Sequence, residues 1–178
     1  MLKHFYLTKT QWQGILRWSL YGLLFLLTLL LQTVVLAPLP LGGIQLAPLP
    51  LYIVCVCIRE GPEKGGLFAI LATLFWALSG ADFGNISVAV VPIGAILSAV
   101  LCRAVLTLRL LPTLLCGLAV SLLNASVIFL FKLILPPNLQ LSSYWRILLP
   151  GVLLSLIFVP IQYLLVKRVS RIGVSHEP

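Results

Sequence analysis

Apolar and polar positions alternate on a coarse scale, giving six long apolar runs divided by short stretches rich in Pro, Gly or charge. The first run, Trp18 to Ala37, is about twenty residues, enough for a helix to cross a bilayer core roughly 30 Å thick. It exceeds the apolar region of a cleaved signal, roughly 7–15 residues, and Pro38 follows the one plausible cleavage point. It therefore reads as a retained helix. Pro38, Pro40, Gly42 and Gly43 then break the chain. In the second run Pro48 and Pro50 leave only Leu49 to Ile58 uninterrupted, about ten residues against the roughly 17–25 of a regular span. Either this helix begins upstream and bends at the prolines, or it is short and sheltered by its neighbours. Irregular backbone at membrane depth survives only where protein or a wet cavity covers it.

The third helix opens at Arg59-Glu-Gly-Pro-Glu-Lys64 and runs from Pro62 to about Gly80. Pro62 and Glu63 suit a helix start, since proline needs no amide partner there and a carboxylate favours the positive end of the helix dipole. Gly65, Ala69, Thr73 and Ala77 recur every four residues, a line of small side chains along which another backbone approaches closely in a bilayer. That line predicts the third helix as the centre of the bundle. The return turn, Ser79 to Asn85, is short, so helices three and four are expected to be adjacent and antiparallel. Helix four is predicted from about Ile86 to Leu106, kinked at Pro92, with Gly94, Ser98 and Cys102 as a second line. Helix five, about Leu110 to Ile134, carries a third in Gly117, Ser121 and Ala125. After Pro136-Pro137-Asn138 an outer loop holds Tyr144 and Trp145, residues suited to the headgroup layer. Helix six runs from about Ile147 to Val166 with Pro150 and Pro160 inside it.

Composition fixes the class. Apolar residues make up 61% and charged residues 9% of 178, where a soluble domain has about 45–50% and about 25%. There is too little charge to cover a water-facing surface. The expectation is an all-α integral membrane protein of six transmembrane helices. A cytoplasmic or interfacial segment (residues 1–17) precedes the membrane domain (residues 18–166), and a basic cytoplasmic tail (residues 167–178) follows it. The net charge of +8 is explained by position and not by nucleic acid. Threading the helices puts Lys3, Lys9, Arg17, Arg59, Lys64, Arg103, Arg109, Lys167, Arg168 and Arg171 on one side, leaving Arg146 and Lys132 toward the other. The positive-inside rule makes the first side, with both termini, cytoplasmic.

Residues that carry chemistry are scarce. His4 and His176 sit in the polar ends, and no metal-ligand spacing, phosphate loop or intramembrane carboxylate pair occurs. Glu60 and Glu63, beside Arg59 and Lys64, read as a solvated or locally paired turn. Cys55, Cys57, Cys102 and Cys116 lie in apolar runs and read as small buried hydrophobes. Asn124, one turn from Ser121, suits an interhelical hydrogen bond, with a ligand contact as the alternative. Lys132 and Arg103 lie near helix ends, where long side chains snorkel to the interface. Asp82 is the acid of the outer side, either a cap for helix four or a contact for a partner's basic residue. No catalytic, cofactor or metal site is expected. The small-residue lines, with Asp82 and Asn124, are the candidate positions for packing and partner contact.

In order, Leu31-Gln32, Pro38-Leu-Pro-Leu-Gly-Gly43, a short apolar helix ending in Arg59-Glu-Gly-Pro62, the Gly65-Gly66 helix closing at Leu78-Ser79-Gly80, and Phe83-Gly84-Asn85 resemble the rod-shape-determining MreD family over about Tyr21 to Val166. Two positions depart from that family's pattern: Ala47-Pro-Leu-Pro50, where an Asp usually follows a Pro, and Trp76, where an Asp often stands. The resemblance implies a non-enzymatic membrane component of bacterial cell-wall elongation. It would sit in the inner membrane with a bitopic MreC-like partner, near an MreB-like filament and the peptidoglycan synthases. The family is similar in fold to the substrate-binding subunits of energy-coupling-factor vitamin transporters, and that implies the alternative function. Such a subunit would need an outer pocket, for which Gln32, Asp82, Tyr144 and Trp145 are available.

Overall fold

The computed structural model describes residues 9–36, 46–79, 86–105, 109–134 and 148–172, with the side chains of 9, 10, 132 and 133 outside the description. Nearly all of these residues are helical, and no strand occurs among them. They form α1 (Lys9–Leu30), continued by a π-helical turn (Leu31–Leu36), then α2 (Pro48–Glu60), α3 (Pro62–Leu78), α4 (Ser87–Ala104) and α5 (Leu110–Ile134). The last pass is α6 (Leu149–Ser155), a 3-10 turn (Leu156–Phe158) and α7 (Val159–Ser170). Six helical passes result. Four stretches, Gln11–Leu36, Ser87–Ala104, Leu110–Phe131 and Leu149–Ser170, are long and apolar enough to cross a membrane unaided, which makes this a multi-pass membrane protein.

The short second helix is the centre. Every residue from Pro48 to Ile58 is buried, and α2 packs against α1, α3, α4, α5 and α7. A helix apolar on all sides belongs inside protein. Its 13 residues reach only about 20 Å at about 1.5 Å per residue, so it is short and sheltered, one of the two readings left open above. The expectation that α3 is central is corrected. α3 buries the single stripe Gly65, Gly66, Ala69, Ala72, Thr73 and Trp76, while Leu67, Ile70, Leu71, Leu74 and Phe75 face outward. A small-residue line marks which face touches a neighbour, not how deep the helix lies.

A helix start carries backbone N–H groups with no intrahelical acceptor at the cap and the first three helical positions. At α2 each of the four is accounted for. Ala47 donates to Ser155 Oγ at 2.9 Å, and Leu49 donates to Gln32 Oε1 at 3.1 Å. Pro48 and Pro50 have no N–H to satisfy. Gln162 Nε2 adds a 3.0 Å bond to the Pro48 carbonyl. Side chains from the π-helical turn, α6 and α7 thus close the helix end as water would outside a membrane.

The other contacts follow from small residues and aromatics. A Cβ on Gly65 would lie 2.6 Å from Cys57 Cα, so α3 crosses α2 backbone to backbone at that point. Gly66 faces Ile96 of α4, Gly94 of α4 faces Val120 of α5, and Gly117 of α5 faces Leu51 of α2. α1 docks through Phe68 of α3, whose ring lies 6.1–6.4 Å from those of Trp18, Tyr21, Phe25 and Tyr52. The buried phenols are satisfied: Tyr52 donates to the Tyr21 carbonyl at 2.8 Å and Tyr21 to Glu60 Oε1 at 2.7 Å.

α1 begins at Lys9, so residues 9–17 form its first turns, and α7 runs on to Ser170. The last helical segment is not one continuous helix. Pro160 has no N–H for the Leu156 carbonyl, which accepts from Val159 instead and tightens the turn.

Gly65→Ala should lower the thermal midpoint in detergent by the equivalent of about 1–3 kcal/mol, because a methyl meets backbone that has no room to yield. Leu71→Phe, at a position 58% exposed, should be nearly neutral. Equal midpoints for the two variants would refute the close α2–α3 crossing. Gln32→Leu should destabilise by about 1–3 kcal/mol by leaving the Leu49 N–H buried without an acceptor. An unchanged midpoint would show that the α2 start does not depend on it.

Candidate functional site

The elements that meet at one end of the bundle bring charge with them. Arg17 of α1, Arg59 and Glu60 at the end of α2, Gly61, Pro62, Glu63 and Lys64 at the start of α3, Arg103 of α4 and Ser170 of α7 line a single cleft of about 630 Å³. Basic residues far apart in the chain therefore share one end, as the threading of the helices required.

Glu60 organises the floor. Its Oε2 lies 3.0 Å from Arg17 Nη2, its Oε1 accepts from Tyr21, and its side chain is only 6% exposed against 20% for Arg17. Burying a carboxylate this far from water is costly unless a countercharge and hydrogen bonds meet it, and Glu60 has both. The expectation of a solvated or locally paired turn is corrected for Glu60, whose partner belongs to α1 and not to the neighbouring Arg59 or Lys64. Glu63 and Lys64 are exposed, as that reading supposed. Arg17 Nε is buried with no hydrogen-bond partner. Arg59 Nε donates to Ser170 Oγ at 2.9 Å, and Ser170 donates in turn to the Lys167 carbonyl at 2.9 Å.

Gly61 makes the corner. Its φ of 100° lies in the left-handed region that side chains disfavour, so the chain turns from α2 into α3 through one residue. A Cβ there would come within 2.5–2.7 Å of the Arg103 guanidinium, which therefore rests against the glycine. α3 has no side-chain cap. Gly61 gives its N–H to the Cys57 carbonyl at 2.8 Å, Pro62 has none, and the Glu63 and Lys64 amides remain at the cleft. Four cationic and two anionic side chains leave the cleft a surplus of two positive charges.

The expected contact positions are mostly used inside the chain. Gly65, Ala69 and Thr73 are buried and Ala77 is half-buried. Thr73 donates to the Ala69 carbonyl and Ser98 to the Gly94 carbonyl. Gly94 and Gly117 are filled by Val120 and Leu51. Ser121 Oγ and Asn124 Oδ1 are buried without a partner, so the expected interhelical bond is not made by that oxygen. Asp82, Tyr144 and Trp145 lie outside the described residues. Cys102 and Cys116 place their sulfurs 3.7 Å apart across α4 and α5, a pairing that spacing alone did not show. Among the described residues no group of three or more His, Cys, Asp or Glu is placed to hold a metal ion. Sequence reasoning missed Tyr21 and the contact of Arg103 with Gly61. The one available signal was a glycine between two helices, which marks a corner but not what rests on it.

Compared with protein-family models, curated proteins and solved structures, the chain matches none.

Arg17→Ala and Glu60→Ala should each lower the thermal midpoint, and the double variant should lose less than the sum by about 0.5–3 kcal/mol, the coupling of residues in contact. Additivity within about 0.3 kcal/mol would show that the pair contributes nothing beyond its separate parts.

Proposed function

We propose that the chain is a non-enzymatic scaffold of the bacterial cell-wall elongation machinery, of the rod-shape-determining MreD type. It would lie in the inner membrane with both termini cytoplasmic. One observation carries this reading: three of the resembling motifs within the described residues meet at α2, while Leu78-Ser79 lies at the other end of α3. Gln32 of Leu31-Gln32 closes its start, Arg59-Glu-Gly-Pro62 forms its end, and Gly65 of the Gly-Gly pair meets its backbone. Gln32, Gly61 and Gly65 thus carry the resemblance and also hold α2 in place. The gathering of Arg17, Arg59, Lys64 and Arg103 at one end supports that end as the cytoplasmic one.

Such a protein acts by holding partners, here an MreC-like single-span protein, with the MreB-like filament and cell-wall synthases nearby. Of the four residues available for a vitamin-transporter pocket, Gln32 is the one within the described residues. Its oxygen is engaged by the Leu49 amide, and the residue is buried. That favours the scaffold.

Depleting the protein from a rod-shaped host should make cells widen and round while vitamin uptake stays normal, and a single-span partner should co-purify in mild detergent. Unaltered shape with loss of uptake of one small cofactor, and capture of an ATPase-linked coupling protein, would overturn the assignment. Asp82→Lys should weaken partner capture if the outer turn makes the contact, and leave it intact if Asp82 only caps a helix.

A further inference from the structure

The cleft at the α2–α3 corner has the chemistry of an anion site, and this inference does not depend on the assignment to cell-wall elongation. We propose that it binds a phosphate group at the membrane surface, either that of an anionic lipid headgroup or free phosphate, through Arg59, Lys64, Arg103 and the N-terminus of α3.

Two observations point the same way. The cations come from four different helices and face one concavity, so their convergence is a product of the fold and not of one basic run. Of the opposing carboxylates, Glu60 is engaged by Arg17 and Tyr21, which leaves Glu63 against Arg59, Lys64 and Arg103. The start of α3 has no side-chain cap, and its Glu63 and Lys64 amides stand at the positive end of a 17-residue helix, a setting that favours phosphate.

Size and place select among anions. The cleft of about 630 Å³ equals on the order of twenty waters at about 30 Å³ each, room for a headgroup and not only for a bare ion. It lies at the polar end of a membrane bundle, level with the residues that end the apolar runs. Phosphate offers several oxygens to donors arriving from several directions, which suits guanidinium forks from separate helices better than a single carboxylate would.

The test uses the full-length chain in nanodiscs of phosphatidylcholine alone or with added phosphatidylglycerol, read by thermal midpoint and by lipid retained in native mass spectrometry. Phosphatidylglycerol should raise the midpoint and be retained. The Lys64→Gln/Arg103→Gln variant, which changes two exposed side chains, should bind at least about tenfold more weakly with its midpoint in phosphatidylcholine unchanged. Lys167→Gln/Arg168→Gln, outside the cleft, should bind as the unaltered chain does. A midpoint raised by inorganic phosphate in phosphatidylcholine discs would identify free phosphate as the ligand, and a rise with phosphatidylglycerol alone would identify the headgroup. Should the first variant fail to fold, Glu63→Gln serves instead, since removing the opposing charge should tighten binding. Equal loss in the Lys167/Arg168 variant, no change with Glu63→Gln when it is the variant used, no response to either phosphate source, or response only to an acidic peptide would overturn the proposal.

Discussion

A helix whose start lies inside protein has to find acceptors for its first amides, and the rest of this bundle is arranged around that need at α2. In water the problem does not arise, because solvent accepts from a frayed end. Within a membrane each open amide costs as much as a lost hydrogen bond or more. Two prolines remove two of the four donors, Gln32 and Ser155 accept from the other two, and Gln162 fixes the adjoining carbonyl. The features that make α2 look broken in sequence are therefore what allow it to be buried whole. The π-helical turn that carries Gln32, and the last pass interrupted at Leu156–Phe158, are irregular where they approach this point.

The opposite end of α2 solves the reverse problem. There the helix emerges among charges, and Glu60 ties α1 to the core through Arg17 and Tyr21 while Arg59 ties α7 through Ser170. Tyr52 bonds to the Tyr21 carbonyl, so a chain of hydrogen bonds runs from inside the bundle to the cleft. The grip on α2 and the shape of the cleft are consequently one structure. Anything bound in the cleft contacts the residues that register α1, α3 and α7 on the central helix.

The class, the helix order and most boundaries were legible because they rest on apolar length and on proline and glycine, which act locally. α5 and α3 start where the apolar runs start, and Pro62 begins its helix as its chemistry requires. Centrality was not legible. A line of small residues on α3 and a continuous apolar stretch in α2 both read as membrane helix, and only the fold shows that the first has one buried stripe and the second has no exposed side. The partner of Glu60 was equally hidden, since local spacing offered Arg59 and Lys64 while the fold supplied Arg17 from another helix. In Gln32 the residue was singled out but its role was not, because a capping glutamine and a ligand-binding one look the same in sequence.

The filled glycines constrain any scaffold role. Gly65, Gly94 and Gly117 already hold Cys57, Val120 and Leu51 in the space a side chain would occupy, so the small-residue lines are spent on building the monomer. A partner helix cannot use them without first displacing α2 or α5. The outward faces of α3 and α4 carry Leu67, Leu71, Leu74, Ile93 and Leu97, bulky side chains that lipid solvates as well as protein does, so they offer little gain from association. α1 differs: Gly14 and Gly22 stand two turns apart on it with nothing within 4 Å of where a side chain would be. Close backbone approach is what drives helix pairing in a bilayer. On α1, then, the backbone is open at two glycines, where Gly65, Gly94 and Gly117 on the other helices are filled.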